Sequence, residues 1–264
     1  MELWTFEHFL AIVPAFVICL IVSLVLRKFL INKPRHIRMI PFQIATVILL
    51  IAEVIKQIVS FGYNGEFYRL YSLPFHVCSL FLFLLPLMAF YKGKGSDLIN
   101  TLACTICGAL TIFMVVIPTM LYPAHEVTGW YTDYLYFHTV FFHNWVLFIF
   151  MLILTLNLHE RIKKHYVVEI LLFGLGYSVV AVTFSYLLQT NFSNFYSCNL
   201  GPVKDLVDSI SASAGETFGT IFYVSVLMCL HVGFFIGSYY VYSVISNFIK
   251  KLEVKSVKKA ITEE

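Results

Sequence analysis

Apolar residues fill the chain in long blocks, and the polar positions gather between the blocks instead of alternating within them. Blocks long enough to cross a hydrocarbon core of about 30 Å cover 8–30, 40–61, 72–91, 98–121, 135–156, 166–189 and 216–248. Continuous apolar runs of this length read as membrane helices, not as strands or soluble core segments. The pattern predicts an all-α, polytopic membrane protein, a seven-transmembrane-helix bundle over 1–249 followed by a basic tail over 250–264. Between the sixth and seventh helices a polar stretch from Thr190 to Gly215 is large enough to fold over a site. No internal repeat of the kind common in transporters is visible.

Composition agrees with the pattern and charge adds direction. Of 264 residues 59% are hydrophobic and 12% charged, too few to coat a soluble globule. Most of the 18 Lys and Arg residues fall in alternate loops: Arg27, Lys28, Lys33, Arg35 and Arg38; Lys92 and Lys94; Arg161, Lys163 and Lys164; and Lys250, Lys251, Lys255, Lys258 and Lys259 in the tail. Basic residues near helix ends stay cytoplasmic. The N-terminus is therefore expected outside, the C-terminus in the cytoplasm, and the protein in the plasma membrane as a multi-pass chain. Met1 to His8 carries Glu2 and Glu7 and no basic residue, unlike a cleavable secretory signal, so the first span is expected to be retained. A net charge of +3 is accounted for by those loops and points to phospholipid headgroups as partners, with no nucleic acid.

Against this background the ionisable residues inside the spans stand out. A charge at the centre of an inserted helix costs about 2.5 to 3.5 kcal/mol, so such residues face protein, water or a ligand. Glu53, His76 and His143 each lie roughly 7 to 12 Å below the outer end of their span by the 1.5 Å rise of a helix, with Lys56 a little shallower. A shared cavity in the outer half of the bilayer is the economical reading.

Each residue has two readings. Glu53 and Lys56, at i and i+3, share a helix face and either form a structural ion pair or set the field for a charged headgroup. Pro74 suits a first helical turn, which puts His76 and Ser79 on one face and Cys78 about 200° away, against a His76 and Cys78 pair. His76 serves acid/base chemistry or is a histidine bonded to a neighbouring helix. His138 either contacts substrate or sits in the interface with Tyr134 and Tyr136. His143, deeper, can act as general base and acid without a metal. The spacing of ligands expected for zinc is absent, so neither metal nor cofactor is expected. Asn191 and Asn194, in an amide-rich and aromatic loop after the sixth span, either bond a headgroup or form a turn.

The remaining polar breaks have plainer explanations. Cys19, Cys104, Cys107 and Cys229 read as packing residues; Cys104 and Cys107 have redox spacing without the strand-to-helix setting that motif needs. Cys198 is external and unpaired. Gly215 with Gly219, and Gly233 with Gly237, read as small-residue spacings for close helix approach, with His231 a polar contact at that seam.

Pro74-Phe75-His76-Val77, Tyr136 through His143, and Asn191-Phe192-Ser193-Asn194 with Cys198 carry a resemblance. Over most of its length the chain resembles the YwaF-like family of bacterial integral membrane proteins. That family is similar to an animal transmembrane acyltransferase acting on ether-linked phosphatidylethanolamine, and more distantly to a family of membrane cysteine or threonine lipid hydrolases. The resemblance implies an acyltransferase or lipid hydrolase working on a phospholipid, with a lysophospholipid or other amphiphile as second substrate. The animal enzyme has a cysteine immediately before the motif histidine, where this chain has Phe75, so Cys78, Ser79 or a directly activated acceptor would have to take its place. A carrier or lipid-binding protein that uses the same residues without chemistry is the alternative.

Overall fold

The computed structural model describes residues 4–62, 70–121, 124–158, 166–197 and 201–262. Ten helices follow in order among them: α1 (Phe6–Leu30), α2 (Arg35–Arg38), α3 (Ile40–Gly62), α4 (Leu80–Phe90), α5 (Ser96–Val116), α6 (Ala124–Thr128), α7 (Tyr134–Thr155), α8 (Val167–Leu187), α9 (Gly201–Ala214) and α10 (Glu216–Thr262). Short 3-10 turns lie at Leu70–Ser72, Pro118–Met120 and Phe192–Asn194. No strand occurs among the described residues.

Side-chain size decides which helix goes to the centre. α5 carries small residues over its middle turns, and Ala103, Cys104, Ile106, Cys107 and Ala109 are almost fully buried. α4, α7 and α10 close around it. The approach is tight at Gly108, where a Cβ would come 3.1 Å from the Phe150 ring of α7. α1, α8 and α10 are buried along narrow stripes and expose rows of Phe, Ile, Leu and Val. Those rows suit hydrocarbon, because the helices satisfy their backbone groups internally.

Polar anchors fix the register. Trp145 Nε1 donates to Ala45 O at 3.0 Å and Tyr134 OH to Ala52 O at 3.0 Å, which sets α3 antiparallel to α7. At the far end of α7 the terminal carbonyls are covered by cations: Arg27 donates to Thr155 O and Asn157 Oδ1, and Arg38 Nη1 donates to Leu156 O at 2.8 Å. Both arrangements follow the preference of helix C-termini for positive charge.

Among the described residues six helical stretches are long and apolar enough to cross a membrane, counting Arg35–Gly62 as one. The expected third span differs. Its helix begins at Leu80 and has 11 residues, about 16 Å at 1.5 Å per residue. Residues 73–79 approach it through bends and turns, so Pro74 opens no helix and the helical face expected for His76 and Ser79 does not exist. Pro74 holds Leu73 away from helical geometry, and besides local turn bonds two backbone groups of this stretch are bonded across the fold. Tyr177 OH donates to Phe75 O at 3.1 Å, and Val77 N donates to Ser193 Oγ at 3.0 Å. Irregular backbone at membrane depth persists where protein covers it or a cavity adjoins it, and both conditions hold here.

The stretch between α8 and α10 is also more ordered than a loop. Its second half is α9, folded back on α10 through Gly215, whose φ of +94° favours glycine. Gly219 is the close-approach position, since a Cβ there would lie 1.9 Å from Ser211 Oγ. Gly233 and Gly237 are not: a Cβ at either meets nothing within 4 Å, because that side of α10 faces open space.

Candidate functional site

The buried stripe of α3 runs through Phe42, Ala45, Thr46, Leu49, Ala52, Glu53 and Ser60. It is apolar for its first turns and polar thereafter, so its last turns need polar company. Lys56 Nζ lies 3.0 Å from Glu53 Oε1, and Gln57 Nε2 also donates to that oxygen. Gln57 reaches Ser72 O at 2.9 Å, and Ser60 Oγ donates to Ser72 Oγ at 2.8 Å. These bonds pin the 3-10 turn at Leu70–Ser72 to α3.

From the other side α7 presents His138 and His143. His138 Nε2 stands 3.1 Å from Glu53 Oε2, at bonding distance although off-line in angle. His143 Nδ1 donates to Thr139 O at 2.8 Å, one turn back on its own helix. A carbonyl can only accept, so this bond fixes the Nδ1–H tautomer and gives Nε2 the lone pair.

The third wall is the irregular segment before α4. His76 uses both ring nitrogens on backbone: Nε2 donates to Tyr71 O at 3.2 Å, and Nδ1 accepts from Ser193 N at 3.4 Å. Tyr71 meets the ring edge-on with centroids 4.4 Å apart. Ser193, with φ of +48°, also bonds Tyr177 OH at 2.6 Å. Phe75 stacks on Phe184 at 4.2 Å and meets Phe192 at 5.3 Å, on the α8 side.

These walls enclose a cavity of about 430 Å³ lined by Glu53, Lys56, His76, Cys78, Ser79, His138 and His143. All the sequence candidates on three separate spans thus meet at one place. Asn191 and Asn194 do not line it. Asn191 Oδ1 accepts from Tyr196 N and Ser197 N at 3.0 Å, so its carbonyl organises a turn, and Asn194 O accepts from Tyr223 OH. Both belong to the turn that carries Ser193. Cys198 lies outside the described residues.

The model of the TMEM164 family matches residues 3–245, which include every side chain of the cavity. The chain belongs to the TMEM164 family. It is a multi-pass membrane protein of that family. No curated protein and no solved structure matches the chain.

In this TMEM164-family protein the cavity also has residues that sequence reasoning passed over. Glu126 lines it from α6, together with Tyr71. Burial pushes the Glu126 carboxyl up, while the Thr139 hydroxyl and His125 pull it the other way. Its signal in the sequence was faint, because one acid in a short segment between spans looks like an ordinary solvated loop. Among the described residues no group of three His, Cys, Asp or Glu is placed to hold a metal. Cys104 and Cys107 are buried as free thiols, and Cys107 Sγ donates to Val146 O at 3.2 Å. His231 donates to Leu227 O at 2.8 Å and stacks on Phe195 at 4.7 Å, a packing contact on α10.

Proposed function

We propose that this cavity performs acyl transfer on a phospholipid, or hydrolysis when water replaces the acceptor. The observation that carries the reading is His143, whose Nδ1–H is held by Thr139 O in a cavity shared with a thiol, a hydroxyl and a buried ion pair. That bond orients the imidazole and makes Nε2 a base, the requirement for drawing the proton from an acceptor hydroxyl. The resemblance to YwaF-like proteins and through them to an acyltransferase supports the same class of reaction.

Phe75 packs against α8 and is not among the cavity's residues, so the position of the animal enzyme's cysteine is given to packing here. Direct attack by the acceptor hydroxyl, without an acyl-enzyme, is the simplest route; Cys78 and Ser79, which line the cavity, are the candidates for a covalent one. His76 holds the wall, because acid or base work would break one of its backbone bonds. Glu53 and Lys56 set the field of the cavity. With the N-terminus outside, as charge in the loops implies, the cavity serves the outer half of the plasma membrane. Its end of the bundle is where α7 begins and α3 finishes.

Product analysis tests the reading. Wild-type protein in vesicles of labelled phospholipid should yield labelled fatty acid or a labelled acylated acceptor, and folded His143→Ala should not. Wild-type protein that binds lipid and leaves its esters intact would favour the carrier reading.

A further inference from the structure

The two histidines that α7 contributes to the cavity have been given opposite neighbours. His143 bonds a neutral carbonyl at 2.8 Å, which favours a neutral ring with its lone pair on Nε2. His138 faces a carboxylate oxygen at 3.1 Å, which can hold the positive charge of an imidazolium. Environments that separate two titratable groups in this way divide acid from base. We infer that His138, positioned by Glu53, is the general acid that protonates the leaving oxygen while His143 serves as base. This assignment rests on the acyl-transfer reading above.

The supporting geometry is local. Glu53 is held by Lys56 Nζ at 3.0 Å and by Gln57 Nε2, so the carboxylate is fixed where His138 meets it. As an imidazolium beside that carboxylate His138 carries a proton on each ring nitrogen, with Nε2 3.1 Å from Glu53 Oε2. Nδ1 of His138 is bonded by none of the described residues, and the residue lines the cavity; a second proton on the ring is therefore carried at Nδ1. Phe142 stacks beside the ring with centroids 6.0 Å apart and limits its rotation. Lys56 shares the carboxylate, which discourages Glu53 from taking the proton itself.

The proton count closes over one turnover. The acceptor oxygen bonds to the carbonyl carbon of the donor ester as its proton passes to His143 Nε2. The bond from that carbon to the donor's alkoxy oxygen breaks as the His138 Nδ1 proton passes to the departing oxygen. One proton then returns from His143 to His138 through water, and both rings are restored.

Two donors with the same acyl chain separate an acid from a structural residue. One is a phospholipid, whose alkoxide needs a proton to leave; the other is a p-nitrophenyl ester, whose anion leaves unaided. The full chain is reconstituted in phosphatidylcholine vesicles, and folding of each variant is checked by thermal unfolding. His138→Gln and His138→Asn should slow transfer from the phospholipid by about 100-fold or more, the scale of general acid catalysis, and leave the nitrophenyl ester within a few-fold of wild type. Glu53→Gln should show a smaller loss with the same donor dependence, restored in part by Glu53→Asp, and His143→Ala should lose both donors. Equal losses on both donors, or none, in the folded His138 variants would overturn the assignment while leaving the reaction class intact. Wild-type protein inactive on both donors would instead remove the acyl-transfer reading and this assignment with it.

Discussion

At the level of single residues, Glu53, Lys56 and Gln57 form one small network at the cavity, and their energetics follow from that pairing. Glu53 and Lys56 are nearly buried, with side chains 11% and 15% exposed. Breaking such a pair leaves one uncompensated charge, whereas removing both leaves none. Lys56→Met should therefore lower stability by about 3 kcal/mol, and the Glu53→Leu/Lys56→Met double variant by less, as read from thermal unfolding in detergent. Glu126 has a different signature. Its carboxyl is raised from the ordinary value of 4.5 mainly by burial, so the folded state holds that proton more tightly than the unfolded chain. Its contribution to stability is complete below 4.5 and is lost as pH rises through the raised value. Glu126→Gln should flatten that decline in a series of melts taken across the same pH range. Of these residues Glu53, Lys56, His138 and His143 were legible in the sequence because ionisable groups in apolar runs announce themselves. The contact between Glu53 and His138 was not, since it depends on the facing of two helices about eighty positions apart in sequence.

Among the elements, the segment before α4 shows where apolar periodicity misleads. The run from 72 to 91 is apolar enough for a helix, yet 73–79 bonds across to α8 and to the turn at Phe192–Asn194. Nothing local in Leu73 to Ser79 besides Pro74 distinguishes a helix from a chain tied across the fold by Tyr177 and Ser193. Ser193 is the keystone, and its substitutions separate two effects. Ser193→Ala loses the bonds to Val77 N and Tyr177 OH and should cost about 1 to 2 kcal/mol. Ser193→Gly loses the same bonds but relieves the positive φ and should be the milder by about 0.5 to 1 kcal/mol. Hydrogen exchange over 73–82 should rise in both and more in the alanine variant. The α9 and α10 pair gives a second contrast. Gly219→Ala forces a Cβ onto Ser211 and should lower the melting temperature, with recovery in Gly219→Ala/Ser211→Gly, while Gly233→Ala and Gly237→Ala should be tolerated. Small-residue spacing alone could not tell these positions apart, because it reports size and not which side of a helix has a neighbour.

Across the whole molecule, three distant stretches of sequence are brought to one cavity at the end of the bundle where α7 begins. α5 sits at the centre and α1, α8 and α10 turn apolar faces outward. A polar cavity inside such a bundle would place the proposed ester chemistry beside the lipid that supplies it, and the TMEM164 family match spans the residues that line it. The helix content and membrane character were legible from apolar runs alone. The closure of the cavity came from packing, through Tyr134, Trp145 and Tyr177 bonding to backbone of other helices. The most direct measurement is a time course by mass spectrometry of purified protein in vesicles containing a diacyl phospholipid with an isotopically labelled acyl chain and an unlabelled lysophospholipid. Wild-type protein should move label to the lysophospholipid or release it as fatty acid, with His143→Ala, verified as folded, slower by about 100-fold or more. Labelled lipid that stays unchanged with folded wild-type protein across several headgroups, or a His143→Ala variant that matches wild type, would contradict the account.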